Sequence, residues 1–170
     1  MPTLRPITPA DVEAVLALNQ RDVVLLSPLD AARLERLRGW ADRADVVDVD
    51  GEVAGFFLTF GPGTPYDGGN YRWYAERYGE QFYYLDRIVL DPRFRRRGLG
   101  GLVYDAVERD AAAYSRLTLE VNTDPPNEPS LAFHARRGFV QVGERDYGDG
   151  TLVAMLVKEL VAPDAGPTPR

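Results

Sequence analysis

The chain has 170 residues, 45% of them hydrophobic, which is enough for one buried core and short for two. It contains no cysteine and one histidine, which excludes a disulfide framework, a thiol nucleophile and an imidazole-rich metal centre, so no metal is expected. The formal net charge of -6 argues against a nucleic-acid surface; no apolar run approaches the ~20 residues of a membrane span, and the N-terminus lacks a signal-peptide pattern, so a cytoplasmic protein without a membrane partner is expected.

Thr8, Pro9 and Asp11 set a hydroxyl cap, a proline at the first helical position and an acid in the first turn. A first helix follows, with Val12, Val15 and Leu16 at helical spacing, after a short strand near Leu4. Asp30 can cap a second helix carrying Leu34, Leu37 and Ala41 on one face. Val46, Val47 and Val49 lead into Asp50-Gly51, a two-residue hairpin signal, and the apolar run Val53 to Phe60 returns antiparallel. The segment 61–79 is a long loop rich in Gly, Pro and Tyr, in which Tyr71, Trp73, Tyr74 and Tyr78 have the spacing of a short helix.

Phe82 to Leu90 is a strand by its aromatic and β-branched content, and 98–114 a helix with Leu102, Val103, Ala106 and Val107 on its buried side. Leu117 to Val121 is the next strand, and 129–137 the next helix, stopped by Gly138. Strands around Val140 and from Leu152 to Val157 close the order β, α, α, β, β, β, α, β, α, β, β. Residues 1–161 are expected to form one domain, and 162–170, with three prolines, a disordered tail.

The chemistry concentrates in Arg95, Arg96, Arg97, Gly98, Leu99, Gly100 and Gly101, between a strand and a helix start. Such a start exposes unpaired backbone N–H groups at the positive end of the helix dipole, the glycines let a ligand approach the backbone, and the arginines add charge-assisted bonds to phosphate. Two familiar phosphate loops fail on residue identity. No Gly-Lys-Ser/Thr occurs, and the third glycine of a dinucleotide fingerprint would fall on Val103. Without further context, an ordinary Gly-rich helix entry beside solvated arginines has even standing with a pyrophosphate cradle.

The segment resembles the GNAT family of acyl-CoA-dependent N-acyltransferases, whose Arg/Gln-x-x-Gly-x-Gly/Ala signature is met by Arg95, Gly98 and Gly100. Asn127, Ser130, Phe133, Gly138 and Phe139 look like a second segment of that family, and the element order matches along essentially the whole chain. The resemblance implies the α/β (α+β) GNAT fold, a mixed central sheet of about seven strands flanked by about four helices. It implies acetyl-CoA as cosubstrate, with Ile88, Val89 and Leu90 pairing by backbone with the pantetheine arm and the cradle holding the pyrophosphate. A bulge in that strand would open a cleft walled by 82–90 and 117–121. Asn127 would bond the pantetheine or cap its helix, with Ser130 and Phe133 beside the cofactor.

Acetyl transfer requires a neutral amine, whereas an alkyl ammonium with a pKa near 10.4 (roughly) keeps its proton at neutral pH. Glu120, in Leu119-Glu120-Val121, resembles the Leu-Glu-Val of family members that modify protein N-termini and is the first candidate base; Asp86 and Glu80 are the others. For each carboxylate the alternative is a salt bridge, with Arg87 or Arg116 as partner. The family's usual proton donor to the leaving thiolate is a tyrosine, and His134 stands at that position; a helix histidine holding local polar groups is the alternative.

The tyrosines and Trp73 of 61–79 can offer π faces to a cationic amine or build core and dimer contacts. The expected partners are acetyl-CoA, an amine acceptor that is a small molecule or a protein amine, and a second copy of the chain in a homodimer. The expected function is direct acetyl transfer to a primary amine in a ternary complex. The rivals are a non-catalytic acyl-CoA-binding regulatory module and a phosphate-binding structural domain.

Overall fold

The computed structural model describes residues 1–161, so the expected tail at 162–170 lies outside the described residues. The elements are β1 (Pro2–Pro6), α1 (Val12–Arg21), α2 (Ala31–Trp40), β2 (Arg43–Val49), β3 (Glu52–Phe60), α3 (Gly69–Tyr78), β4 (Tyr83–Leu90), α4 (Leu99–Ala111), β5 (Arg116–Asp124), α5 (Glu128–Arg136), β6 (Val140–Asp146) and β7 (Leu152–Glu159). Short 3-10 turns occupy Pro9–Asp11, Pro92–Phe94 and Ala112–Tyr114. The strands form a seven-stranded mixed sheet in the order β1-β2-β3-β4-β5-β7-β6, the expected α/β class. The expected order lacked α3, so among the described residues five helices stand where about four were anticipated.

The chain clusters into two compact units, Met1–Tyr66 with Leu85–Val107, and Asp67–Tyr84 with the chain from Glu108 on. In the first unit, the Asp11 carboxylate accepts from the Thr8 amide at 2.8 Å and from the Arg5 guanidinium at 2.7 Å, which fixes the entry into α1. Those bonds hold the Asp11 carboxyl well below the usual carboxylate range, Arg5 contributing most. Asp30 caps α2 by accepting from the Arg33 amide at 2.7 Å.

Asp50 and Gly51 both have positive φ, 52° and 88°, the twist a two-residue hairpin requires, and β2 and β3 pair antiparallel from there. β3 is buried along almost its whole length, which explains why it reads as a continuous apolar run. Phe56, Phe57, Leu58 and Phe60 are wholly buried, each contributing about 1.5–3 kcal/mol of apolar burial. Gly55 is required by proximity: a Cβ there would meet the Val89 carbonyl oxygen at 2.5 Å and the Leu90 side chain at 2.7 Å.

In the second unit, β5, β7 and β6 pair antiparallel, and β4 pairs in parallel with β5 at Tyr83–Leu117 and Tyr84–Thr118. A parallel neighbour requires a crossover, and α4 supplies it. α3 packs its buried Tyr71 and Tyr74 here, with Tyr74 donating to the Leu119 carbonyl at 2.6 Å and lying 3.1 Å from that of Leu156. α5 ends in a Schellman motif. Phe139 N–H bonds the His134 carbonyl at 3.0 Å, Gly138 N–H bonds that of Ala135 at 3.1 Å, and Gly138 has φ 91°.

Candidate active site

The segment expected to cradle phosphate belongs to the first unit. β4 ends where the Asp91 amide bonds the Ala54 carbonyl at 2.8 Å, and the Leu90 carbonyl accepts from Arg21 at 3.1 Å. Asp91 then caps the Pro92–Phe94 turn, accepting the Arg93 amide at 2.9 Å and the Arg93 guanidinium at 2.9 and 3.0 Å. That guanidinium, with the amide, holds the Asp91 carboxyl below its ordinary range. Phe94 is buried and anchors the turn, and Arg95, Arg96 and Arg97 are exposed beyond it.

Arg96 and Gly98 have positive φ, 63° and 70°, which turns the chain into α4. The first helical bond runs from the Leu102 amide to the Gly98 carbonyl at 3.0 Å, so the amides of Leu99, Gly100 and Gly101 precede any intrahelical acceptor. A Cβ built at Gly98 or Gly101 would meet nothing within 4 Å. Packing within the protein therefore does not demand glycine at 101. Open space over first-turn amides, beside exposed cations, fits a ligand's phosphate. Along β4, Ile88 and Leu90 are half-buried while Val89 is buried.

The carboxylates separate by environment. Asp86, in the first unit, has a side chain only 6% exposed, and it bonds the Arg87 guanidinium at 2.7 Å and the Tyr66 hydroxyl. Arg87 is itself 6% exposed and also donates to Asn19 at 3.0 Å and to the Ser27 carbonyl and hydroxyl at 3.2 and 2.9 Å. The pairing with Arg87 named from the sequence is thus present, as part of a buried polar network. Glu80, in the second unit, is exposed.

Glu120, in the second unit, is half-buried on β5, and the Tyr84 hydroxyl lies 3.0 and 2.8 Å from its two oxygens. Arg116 pairs with Glu159 at 3.0 Å, which settles the destination of the other suggested salt-bridge partner. Tyr74 lies nearby. Burial first, and the Glu120 charge second, hold its phenol well above the ordinary range, so it stays protonated. Neither Tyr84 nor Tyr66 was singled out from the sequence. Only the strand register, which sets Tyr84 beside Thr118 and so near Glu120, would have revealed the first.

Asn127 caps α5: its Oδ1 accepts from the Ser130 amide at 3.4 Å, and its own amide bonds the Asn122 carbonyl at 3.0 Å. His134 is 4% exposed, with Nδ1 2.7 Å from the Ser130 carbonyl and 3.2 Å from its hydroxyl. A carbonyl only accepts, so Nδ1 carries the proton and, in the neutral ring, Nε2 is an acceptor. Burial pushes the His134 pKa below its ordinary value, favouring that neutral ring. The imidazole also meets Phe133 and Phe139 edge-on, at 5.3 and 5.1 Å between centroids.

Among the described residues no group of His, Asp and Glu could hold a metal ion, and no helix is long and apolar enough to cross a membrane. A family model described as the acetyltransferase (GNAT) family matches residues 13–139. Among curated proteins, none matches the chain. Solved structures similar to it include Ard1 from Thermoplasma volcanium, 22% identical with a TM-score of 0.74 over 94% of this chain and 98% of that one. The ribosomal-protein-S18-alanine N-acetyltransferase from Escherichia coli is 17% identical, with a TM-score of 0.70 over 100% and 99%. yncA from Salmonella typhimurium, solved with acetyl-CoA, is 15% identical, with a TM-score of 0.67 over 100% and 98%. At these identities the likeness is one of fold.

Proposed function

Because the chain belongs to the GNAT family of acetyltransferases, we propose that it moves the acetyl group of acetyl-CoA directly to a primary amine in a ternary complex, with Glu120 taking the amine's proton. The supporting observation is the start of α4: backbone amides ahead of the first helical bond, open space at Gly98 and Gly101, and three exposed arginines. Residues 1–161 act in this proposal as one acetyltransferase domain in the cytoplasm, with acetyl-CoA, an amine and a second copy of the chain as partners, and neither nucleic acid nor membrane.

Acetyl-CoA, when bound, supplies a thioester carbonyl to the amine. Arg95, Arg96, Arg97 and the amides of Gly98, Leu99, Gly100 and Gly101 hold phosphate, and the backbone of Ile88, Val89 and Leu90 holds the pantetheine arm. Asn127, Ser130 and Phe133 are assigned to the same arm. Glu120 accepts the ammonium proton, and its hydrogen bond from Tyr84 fixes which way the carboxylate faces. Asp86, engaged by Arg87 and Tyr66, orders the first unit in this proposal and stands second to Glu120 as base.

His134 is assigned a holding role at neutral pH, because its proton sits on Nδ1 facing Ser130 and Nε2 has none to give. The thiolate is a good enough leaving group to depart without a strong acid. The same observation favours a second reading, a non-catalytic acyl-CoA-binding module. Calorimetric titration with acetyl-CoA, beside a Gly100→Trp variant that fills the cradle, tests the cofactor site. Micromolar binding lost in the variant supports it, and absence of binding to the unaltered protein refutes it. CoA release on adding amines then distinguishes enzyme from module.

A further inference from the structure

Among the described residues, one half-buried arginine of the second unit has no acid to hold. Arg145 on β6 donates to Asn70 Oδ1, and its guanidinium lies 5.4 Å from the centroid of the Tyr147 ring. Asn70 is 9% exposed and gives its own amide N–H to the Tyr147 hydroxyl at 2.7 Å, so the group that seats the arginine is itself fixed. Gly69 makes room: a Cβ there would meet the two terminal guanidinium nitrogens at 2.9 and 3.0 Å.

The other half-buried arginines of this unit are paired, Arg116 with Glu159 and Arg137 with Glu108. Among the described residues no carboxylate pairs with Arg145. Partial burial of a cation costs free energy, which the Asn70 bond and the Tyr147 ring offset in part and a counter-charge would offset further. A guanidinium has five N–H donors, and Asn70 engages one terminal nitrogen, so enough of the planar fork remains to take a carboxylate by two parallel bonds.

Strand register relates this cation to the proposed base. Glu120 pairs with Met155, which pairs with Gly143; Asn122 pairs with Val153, which pairs with Arg145. Paired residues of antiparallel strands share a face, so Glu120 and Arg145 project from the same side, two strands and two residues apart. Their Cα atoms are then about 12 Å apart. Trp73 of α3 lies on that side, against Gly143, where a Cβ would meet the indole at 2.7 Å. One covered face thus carries a negative group and, one small molecule's length away, a positive one.

We propose that Arg145 receives the carboxylate of the acceptor, so that the acceptor is a small zwitterionic amine, an amino acid or ω-amino acid, whose ammonium end faces Glu120. The carboxylate half stands on Arg145 alone, and the ammonium half rests on the acetyl-transfer function proposed above.

The test compares glycine, β-alanine, 4-aminobutyrate and L-glutamate with the matching carboxamides, in which the anion is replaced by a neutral group of similar shape. Rates come from CoA release, and binding from calorimetry with CoA present. The unaltered protein is expected to prefer at least one acid over its amide by about tenfold or more in kcat/KM, the size of one charge-assisted pair. In Arg145→Gln that ratio falls to near one, in Arg145→Lys it is partly kept, and Gly69→Ala, which crowds the guanidinium without changing charge, lowers it. Acetyl-CoA affinity of each variant reports whether it folds.

Turnover without any acid-over-amide preference, or a preference that survives in Arg145→Gln, overturns the Arg145 assignment and leaves acetyl transfer standing. Arg145-dependent binding of the acid without turnover sustains the Arg145 site and overturns the transfer reaction. Acetylation confined to peptide N-termini, indifferent to Arg145, overturns the small-zwitterion assignment.

Discussion

The Tyr84 hydroxyl lies within hydrogen-bond distance of both oxygens of Glu120, at 3.0 and 2.8 Å, so one buried phenol sets the direction of the carboxylate proposed as base. The pair is built from parallel neighbours, Tyr84 beside Thr118 and Glu120 two residues further along β5. Glu120→Gln keeps the shape and the tyrosine contact while removing the basic lone pairs. Its acetyl transfer is expected to fall about a hundredfold or more, with acetyl-CoA affinity retained. Tyr84→Phe, which frees the carboxylate to turn, is expected to lose less, about tenfold. CoA release at saturating acetyl-CoA measures both, and full activity in Glu120→Gln would move the base elsewhere.

Asp86 and Glu120 are separable by stability. Asp86→Ala strands the buried Arg87 guanidinium and is expected to cost about 3–5 kcal/mol, read by urea unfolding. Glu120→Gln, on a half-buried group whose tyrosine contact the amide preserves, is expected to cost under about 1 kcal/mol. The reverse pattern would exchange their roles.

At the cradle, stability and binding are expected to part company. Gly98→Ala forces an L-residue to φ 70° and costs about 1–2 kcal/mol. Gly101→Ala meets nothing within 4 Å and replaces a glycine in a helix, so it is expected to gain about 0.5–1 kcal/mol. Both should weaken acetyl-CoA in a calorimetric titration. A Gly101→Ala protein that is more stable and binds undiminished would show that no ligand approaches that turn.

His134 gives a pH dependence with a definite sign. Burial lowers its folded pKa below the unfolded value of about 6.5, so the unfolded chain binds more protons in between. The stability linked to the neutral ring is complete above that value and is lost as pH falls toward the folded pKa. His134→Phe, which keeps the edge contacts with Phe139, should flatten the fall in thermal midpoint between neutral and mildly acid pH. An unchanged slope would place the titrating group elsewhere.

What could be read from the chain was what is decided locally. Asp50-Gly51 needs only its own dihedrals, Thr8-Pro9 with Asp11 only one turn of helix, and Gly138 only the two carbonyls behind it. Arg87 enters the sequence reading only as one of two alternative salt-bridge partners for the candidate carboxylates. Its burial is made by Asn19 and Ser27, 68 and 60 residues away, and no local pattern carries that information. The seat of Arg145 is equally non-local, being Asn70 and Gly69 on a helix that the local pattern only half decides. His134 was legible as a departure from the tyrosine of the resembled family; the proton on Nδ1 became visible only with the Ser130 carbonyl in place.

Asp91 has an effect beyond the turn it caps. By engaging Arg93 twice over and lying within 3.9 Å of Arg21, it neutralises the basic residues nearest β4. Among the described residues Arg95, Arg96 and Arg97 form no ion pair, so a ligand arriving there breaks none. In a chain of net charge -6, the phosphate cradle proposed there is expected to act as a small local funnel for polyanions, with a capture rate that drops steeply with ionic strength and a release rate that stays nearly constant.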